Sequence, residues 1–324
     1  MQKVFKTVNQ QVNILLSRGM KFKNITKAKE VLEKTNYYNL INGTKQLYID
    51  MNSTQERYIE GIYFEEVVEV LELDRNLRIL FLKYILKIED ELRSHVAYEF
   101  GKNEGPYNWD NQSSFDCSNS NQLNYVNNLI SKLTTNACRM NNDTHDTMLV
   151  HFTSQGLKVP IWVLVNTFEF GTLKSFYISL KQVIKQNIAN SYYGLSFSVL
   201  RSFLEALNMF RNVCAHDFRI LFYRIHDFDK RISDTNVHQN MKISTTSSGQ
   251  YRYGKNDLFA VTIIFKYLLS ENDFACFIDE LNEIIEKTKI SLKAISIEKI
   301  LDAVGFPQED GDQKNWDCIA SIDK

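Results

Sequence analysis

The stretch that decides the fold is residues 64–100, FEEVVEVLELDRNLRILFLKYILKIEDELRSHVAYEF. Its apolar residues recur every three or four positions, which is typical of the buried face of a helix. They are Leu77, Leu80, Phe81, Tyr84, Ile85, Ile88, Leu92 and Val96. No glycine or proline interrupts the pattern before Gly101, and Gly105-Pro106 ends it. The spacing predicts one helix about 55 Å long, or two helices joined by a kink.

The rest of the chain repeats this helical character. With 12 Gly and 3 Pro in 324 residues, there are too few turn signals for an architecture of strands. Further helices are predicted over residues 122–133, 159–180, 195–216, 257–269, 272–289 and 297–304. A small hairpin is predicted around Ser247-Ser248-Gly249, and the acidic tail after Pro307 is predicted to fray. The fold class is therefore all-α.

Charge and composition divide the chain into three parts. Residues 1–60 form a basic helical segment, in which the first 34 residues carry eight Lys or Arg against two Glu. Residues 61–232 form the core, and residues 233–324 hold a polar loop, C-terminal helices and the acidic tail. Six acids and no base lie between Glu60 and Asp74, a run that usually marks a solvated helix face. The net charge of −1 is thus a cancellation between segments.

Several classes of protein and of site are disfavoured. The five cysteines are scattered without a CxxC pair, which indicates neither a disulfide framework nor zinc. The six histidines lack metal-ligand spacing, and no P-loop, dinucleotide or nucleophile-elbow motif occurs. No stretch reaches the roughly 20 apolar residues of a membrane span, and the N-terminus lacks a signal peptide. We expect a cytoplasmic protein without membrane, metal or cofactor.

One segment carries groups that could do chemistry, Arg211-Asn212-Val213-Cys214-Ala215-His216. Arginine binds phosphate oxygens through its planar fork, and histidine can transfer protons near neutral pH. Together they suffice to cleave RNA, with the ribose 2′-OH as nucleophile. In a continuous helix, however, Arg211 and His216 would lie about 140° apart. Either the helix ends between them, or two copies of the chain combine their residues.

Spacing alone does not establish catalysis. Arginine and histidine near a helix C-terminus can simply stabilise the free carbonyls and the helix dipole. The same bare pattern of an arginine followed by a histidine occurs at three other places, Arg139/His145, Arg219/His226 and Arg231/His238.

The surrounding segments make the pattern specific. RNVCAHDFRI resembles the R-N-x-x-x-H motif of HEPN ribonucleases, and in particular of the abortive-infection Abi-like family (the AbiD/AbiF group). Segments similar to that family occur in the same order at residues 36–43, 73–78 with 88–93, and 160–162 with 170–173. The resemblance covers roughly residues 36–220. Two departures are Asn166 in place of a glutamate before the Phe170-Gly171-Thr172 segment, and the absence of an Asn-Arg pair after His216.

The resemblance implies a HEPN-like helical bundle with N- and C-terminal extensions and the motif at residues 211–216. It implies a homodimer with a composite cleft and a metal-independent endoribonuclease of bacterial antiphage defence, and some proteins of this family are associated with a small noncoding RNA. Arg211 would bind the scissile phosphate, His216 would act as general acid or base, and Asn212 would position either group. Two alternatives remain, a non-cleaving RNA-binding module that holds a structured RNA and a helical regulator that binds only proteins.

Other residues receive weaker predictions. We expect a local basic cleft for RNA that draws on Lys21, Lys23, Lys27, Arg93, Arg219 and Arg224. Glu89 and Arg93 have the spacing of an ordinary helical ion pair, which could also shape the cleft. Tyr37, Tyr38 and Trp162 could stack on bases, although core packing is favoured for all three. Cys214 is predicted to be a small buried apolar residue.

Overall fold

The computed structural model describes residues 4–143, 147–216 and 218–324, with the backbone alone at 136, 138–143 and 147–148. Its helices are α1 (Val8–Ser17), α2 (Ile25–Lys34), α3 (Phe64–Glu104), α4 (Ser120–Asp143), α5 (Thr147–Ser154), α6 (Ile161–Leu164), α7 (Phe170–Ser179), α8 (Gln182–Asn190), α9 (Phe197–Ala215), α10 (Asn236–Asn240), α11 (Leu258–Leu268), α12 (Glu271–Ser291) and α13 (Ile297–Val304). A π-helical turn (Tyr38–Asn42) and short 3₁₀ turns join them. The described residues form isolated bridges but no sheet, which confirms the all-α class.

Helix α3 is the central element. It runs without a break for 41 residues, about 60 Å, and ends at Gly105, whose φ of 87° favours glycine. All eight residues of the predicted apolar stripe are buried. Helices α6, α8, α9 and α12 pack against α3, while α7 packs on α9 and α4 packs on α7. The long helix predicted from residues 64–100 is therefore confirmed as the axis of the fold.

Two sequence predictions need correction. The helix predicted over residues 159–180 is divided into α6 and α7 by a 3₁₀ turn at Val165–Thr167. The tail after Pro307 does not fray, because it contributes buried apolar side chains: Trp316, Ile319 and Ile322. The Trp316 ring packs edge-on against Phe306, with centroids 5.3 Å apart. The predicted hairpin is present as a tight turn, with an isolated bridge between Thr245 and Tyr251.

No helix in the described ranges combines the length and apolar character needed to cross a membrane.

The polar loop before α11 is held by a buried histidine. His238 is fully buried and stacks on Tyr251, with centroids 4.8 Å apart. Its Nε2 lies 2.9 Å from the carbonyl of Gly254, and its Nδ1 lies 3.2 Å from the backbone nitrogen of Thr235. A neutral imidazole satisfies both contacts by donating at Nε2 and accepting at Nδ1. Burial lowers the pKa of His238 to about 4, because the charged form would lose its hydration.

This pKa predicts a loss of stability in mild acid. The folded-state pKa lies below the ordinary value of 6.5, so the unfolded chain takes up the proton first as the pH falls. Above pH 6.5 the neutral His238 contributes about 3 kcal/mol to the free energy of unfolding, and this contribution is lost progressively as the pH falls toward 4. Urea unfolding of wild type and His238→Gln at several pH values should show that wild type loses more stability than the variant. Parallel pH profiles would contradict this assignment.

Candidate functional site

The Arg211–His216 segment lies at the C-terminal end of α9. Ser196 caps the start of this helix, and its hydroxyl accepts the N–H of Val199. The helix ends at Ala215, and His216 is its C-cap, with φ −102° and ψ 20°. The N–H of His216 still donates to the carbonyl of Asn212, at 3.1 Å. The helix therefore continues to the residue before His216, and Arg211 and His216 keep the angular offset around the axis that a continuous helix gives them.

The two faces of α9 differ in exposure. Asn212 and His216 are four residues apart, lie on the same side of the helix and are exposed. Arg211, on the flank of this face, keeps 27% of its side chain exposed. Cys214 points to the core, and burial raises the pKa of its thiol to about 12. The predicted buried, apolar role of Cys214 is confirmed, since such a thiol is a poor nucleophile at neutral pH.

A buried carboxylate on α3 lies close to the motif arginine. Glu89 is 2% exposed and forms an ion pair with Arg93, whose Nη2 also donates to the carbonyl of Phe168 at 3.0 Å. The second oxygen of Glu89 lies 4.0 Å from Nε of Arg211. Burial raises the pKa of Glu89, while Arg93 and then Arg211 act in the opposite direction. The shared carboxylate thus brings two guanidinium groups to one place beside α9.

A second buried carboxylate fixes the chain that follows the motif. Asp74 is 2% exposed and accepts the N–H groups of Ile220 at 2.9 Å and Leu221 at 3.0 Å. Its other oxygen accepts Nε of Arg78 at 3.1 Å. Burial raises the pKa of Asp74, and these hydrogen bonds and the charge of Arg78 oppose that rise. The backbone is therefore anchored to α3 four residues after His216.

The N-terminal segment makes a third contact with the same region. Arg219 donates from Nη2 to the carbonyl of Asn39, at 2.5 Å. Its guanidinium lies against Gly43, where a Cβ atom would fall within 1.6 Å of three guanidinium atoms. A side chain at position 43 would therefore displace Arg219.

Helix α7 approaches α9 closely on the same side of the bundle. A Cβ atom on Gly171 would lie 3.3 Å from Oδ1 of Asn208, which is tighter than ordinary contact. Asn208 is three residues before Arg211 and so belongs to the same side of α9. The small residue at position 171 lets α7 pack beside the motif.

The predicted RNA-binding residues do not form one cluster. Arg93 lies with Arg211, as described above. Lys21, Lys23 and Lys27 are exposed near the start of α3, where Lys21 bridges to Tyr63. Glu89 is 24 residues beyond Glu65, about 36 Å further along the helix. The structure thus separates the N-terminal lysines from the motif along α3.

The two remaining arginines of that prediction bind backbone carbonyls. Arg219 binds Asn39, and Arg224 donates to the carbonyls of Tyr223 at 3.0 Å and Ala303 at 2.7 Å. Burial lowers the pKa of Arg224. Both side chains therefore connect distant segments of the fold.

The core-packing prediction is wrong for two of three aromatic residues. The sequence favours core packing for Tyr37, Tyr38 and Trp162, but Tyr38 is 65% exposed and Trp162 is 54% exposed. Tyr37 is half-buried and packs against the core. Trp162 and Arg93 line a shallow groove of about 580 Å³. The reason is local geometry, because Tyr38 begins a π-helical turn and Trp162 lies on the outer side of the four-residue helix α6.

The competing arginine–histidine pairs occupy different settings. His238 is buried in the loop before α11, and His226 is exposed ten residues after the motif histidine. His145 lies outside the described residues. Within the described ranges, no group of three or more His, Cys, Asp and Glu side chains is arranged to hold a metal ion.

The Asp74 contacts predict a specific loss of stability. Asp74→Ala removes the acceptor of two buried N–H groups, each of which costs about 1–3 kcal/mol when left unsatisfied. We expect the free energy of unfolding to fall by about 2–4 kcal/mol in urea titrations. Glu72→Ala is the matched control, because the Glu72 side chain is 46% exposed and forms a surface ion pair with exposed Arg75. Equal stability of the two variants would refute the anchoring role of Asp74.

A sequence model of a family described as "Abi-like protein" matches residues 30–222, more than half of the 324 residues. The matched range contains α3, α9 and every contact of the motif described above. The chain matches no curated protein and no solved structure.

Proposed function

The chain belongs to the Abi-like protein family, and on this basis we propose that it is a metal-independent HEPN endoribonuclease of bacterial abortive-infection defence. The observation that carries the proposal is the end of α9. There Asn212 and His216 are exposed, and Arg211 is partly exposed, with its Nε 4.0 Å from the buried carboxylate of Glu89. A purely structural cap would leave the exposed imidazole unexplained.

The proposed reaction is transesterification at one phosphate of RNA. A histidine takes the proton of the ribose 2′-OH as its oxygen attacks phosphorus, and the bond to the 5′ oxygen breaks. A second proton donor protonates the leaving 5′ oxygen, so that the products are a 2′,3′-cyclic phosphate and a 5′-OH. Arg211 stabilises the charge that develops on the phosphate oxygens, and Asn212 can hydrogen-bond to the phosphate or to His216. Water then hydrolyses the cyclic phosphate more slowly.

Two copies of the chain would supply both proton-transfer groups. Each motif contributes one His216, whereas the reaction needs a base and an acid. On α3, Leu82 and Leu86 lie on the side that carries Glu89 and Arg93. Leu86 is three residues before Glu89 and seven before Arg93, and Leu82 is seven and eleven residues before them. Leu86 is 44% exposed, and Ile79, one heptad before it, is 69% exposed. We propose that this apolar strip beside the motif packs against its equivalent in a second copy.

The motif histidine provides the first test. His216→Ala should lower cleavage of a labelled RNA by at least about 100-fold, the usual contribution of a general acid or base. Stability should change little because His216 is exposed. His226→Ala, which removes an exposed histidine outside the motif, is the matched control and should keep wild-type activity. EDTA should leave the rate unchanged, and mass spectrometry should detect 2′,3′-cyclic phosphate ends.

Three results would count against this mechanism. They are cleavage that EDTA abolishes and magnesium restores, equal activity of His216→Ala and wild type, and 5′-phosphate products. Recovery of the same intact RNA with wild type and with His216→Ala, without cleavage by either, would favour the non-cleaving RNA-binding module.

The composite site provides a separate test. Ile79→Asp places a charge in the proposed apolar interface and should convert a dimer to a monomer in light scattering coupled to gel filtration. The rate of RNA cleavage should fall by at least about 100-fold when the dimer dissociates, because each site then loses one histidine. Ile290→Asp is the matched control, since Ile290 is 83% exposed on α12 and outside the proposed interface. A fully active Ile79→Asp monomer would refute the composite site.

A further inference from the structure

A second surface, separate from the α9 motif, has the properties of a nucleic-acid groove. It is a groove of about 850 Å³ between α1, the π-helical turn Tyr38–Asn42 and the loop that carries Glu56. Lys6, Arg18 and Lys45 contribute its positive charge, and Glu56 contributes its one carboxylate. The described lining therefore has a net charge of +2, counted as three cations minus one anion.

The Glu56 carboxylate positions two of the cations but leaves the groove with a net positive charge. Glu56 pairs with Arg18 at 3.0 Å and with Lys45 at 3.6 Å, through the same oxygen. Both cations remain partly exposed, with 31% of the Arg18 side chain and 40% of the Lys45 side chain accessible. A polyanion that enters the groove meets positive groups that are already held in place.

Tyrosines form the wall of this groove. Tyr38 is 65% exposed, and its backbone N–H donates to the side chain of Asn36 at 2.8 Å. That hydrogen bond and the π-helical turn fix the backbone from which the ring projects. Tyr37, beside it, also lines the groove. Exposed aromatic rings next to ordered cations are the usual components of sites for unpaired bases.

The groove is connected to the motif by one hydrogen bond. The turn that carries Tyr38 also carries Asn39, whose carbonyl accepts Nη2 of Arg219. Arg219 is three residues after His216, so their Cα atoms are at most about 11 Å apart. A strand in the groove and a phosphate at His216 can therefore belong to one RNA molecule.

We propose that this groove binds unpaired nucleotides of the RNA strand that His216 cleaves, with the Tyr38 ring stacked on a base and Lys6, Arg18 and Lys45 on the backbone phosphates. The inference rests on the proposed function for the identity of the RNA. The groove itself is defined by contacts of other residues.

The test measures binding apart from cleavage. Full-length protein carrying His216→Ala keeps RNA intact, and fluorescence anisotropy with a labelled, unstructured 12-nucleotide RNA gives the dissociation constant. Adding Tyr38→Ala and Lys45→Ala should weaken binding at least tenfold, in line with the loss of one stacked base and one phosphate contact. The dependence of binding on salt should also become shallower, by about 0.7 in log–log slope. Tyr38→Phe keeps the ring and should bind as the parent does.

A matched control is available at the far end of α3. Lys102→Ala with Tyr107→Ala removes an exposed lysine and a 44% exposed tyrosine, and should change affinity less than about twofold. Lys102 lies 28 residues beyond Asp74, about 42 Å along the helix. Unchanged thermal unfolding of both double variants confirms that they fold.

The outcomes separate this inference from the proposed function. If Tyr38→Ala/Lys45→Ala binds the RNA as tightly as the parent, or if the parent does not bind it, the groove assignment is wrong. If wild type cleaves no RNA but the groove variant still loses binding, the ribonuclease proposal fails and the groove assignment stands. If the ribonuclease proposal and the groove assignment are both correct, Tyr38→Ala/Lys45→Ala with His216 intact should have a higher KM for RNA than wild type and the same kcat. The reason is that the groove binds RNA before the chemical step.

Discussion

The structure depends on carboxylates that α3 buries along its length. Glu66 accepts the backbone N–H groups of Lys293 and Ala294, Asp74 accepts those that follow the motif, and Glu89 pairs with the arginines. A buried charge without partners is strongly destabilising, so each acid stabilises the fold only when its own partner segment is in place. One helix thereby sets the positions of three segments that are distant in sequence. The geometry of the motif is a consequence of those pairings.

This arrangement explains why the family-like segments occur in a fixed order but far apart. The turn at Asn39 supplies the carbonyl for Arg219, Asp74 holds the backbone after His216, and Gly171 lets α7 approach α9. Each segment contributes one contact to the same end of one helix. Together they fix the backbone on both sides of the exposed His216 to distant parts of the chain.

The sequence predicted the helices better than their partners. The stripe from Leu77 to Val96 identifies α3, whereas the acidic run that ends at Asp74 indicates a solvated face and gives no sign that Asp74 is buried. Its partners, Ile220 and Leu221, are about 146 residues away, and no local pattern identifies them. The burial of the segment after Pro307 was predictable in part, because its apolar residues Trp316, Ile319 and Ile322 recur every three positions. The exposure of Tyr38 was not, because it depends on a π-helical turn, for which the sequence carries no signal.

The same contacts change the meaning of the net charge. The acidic run from Glu60 to Asp74 resembled a solvated face, yet Glu66 and Asp74 are buried, and Glu65 accepts the N–H groups of Lys23 and Asn24 at the start of α2. Glu66 and Asp74 accept backbone N–H groups inside the protein, whereas most of the lysines described in the N-terminal segment are exposed. A formal sum gives both groups equal weight, but a polyanion at the surface interacts mainly with the exposed charges. A chain with a net charge of −1 can therefore present a cationic groove at its surface.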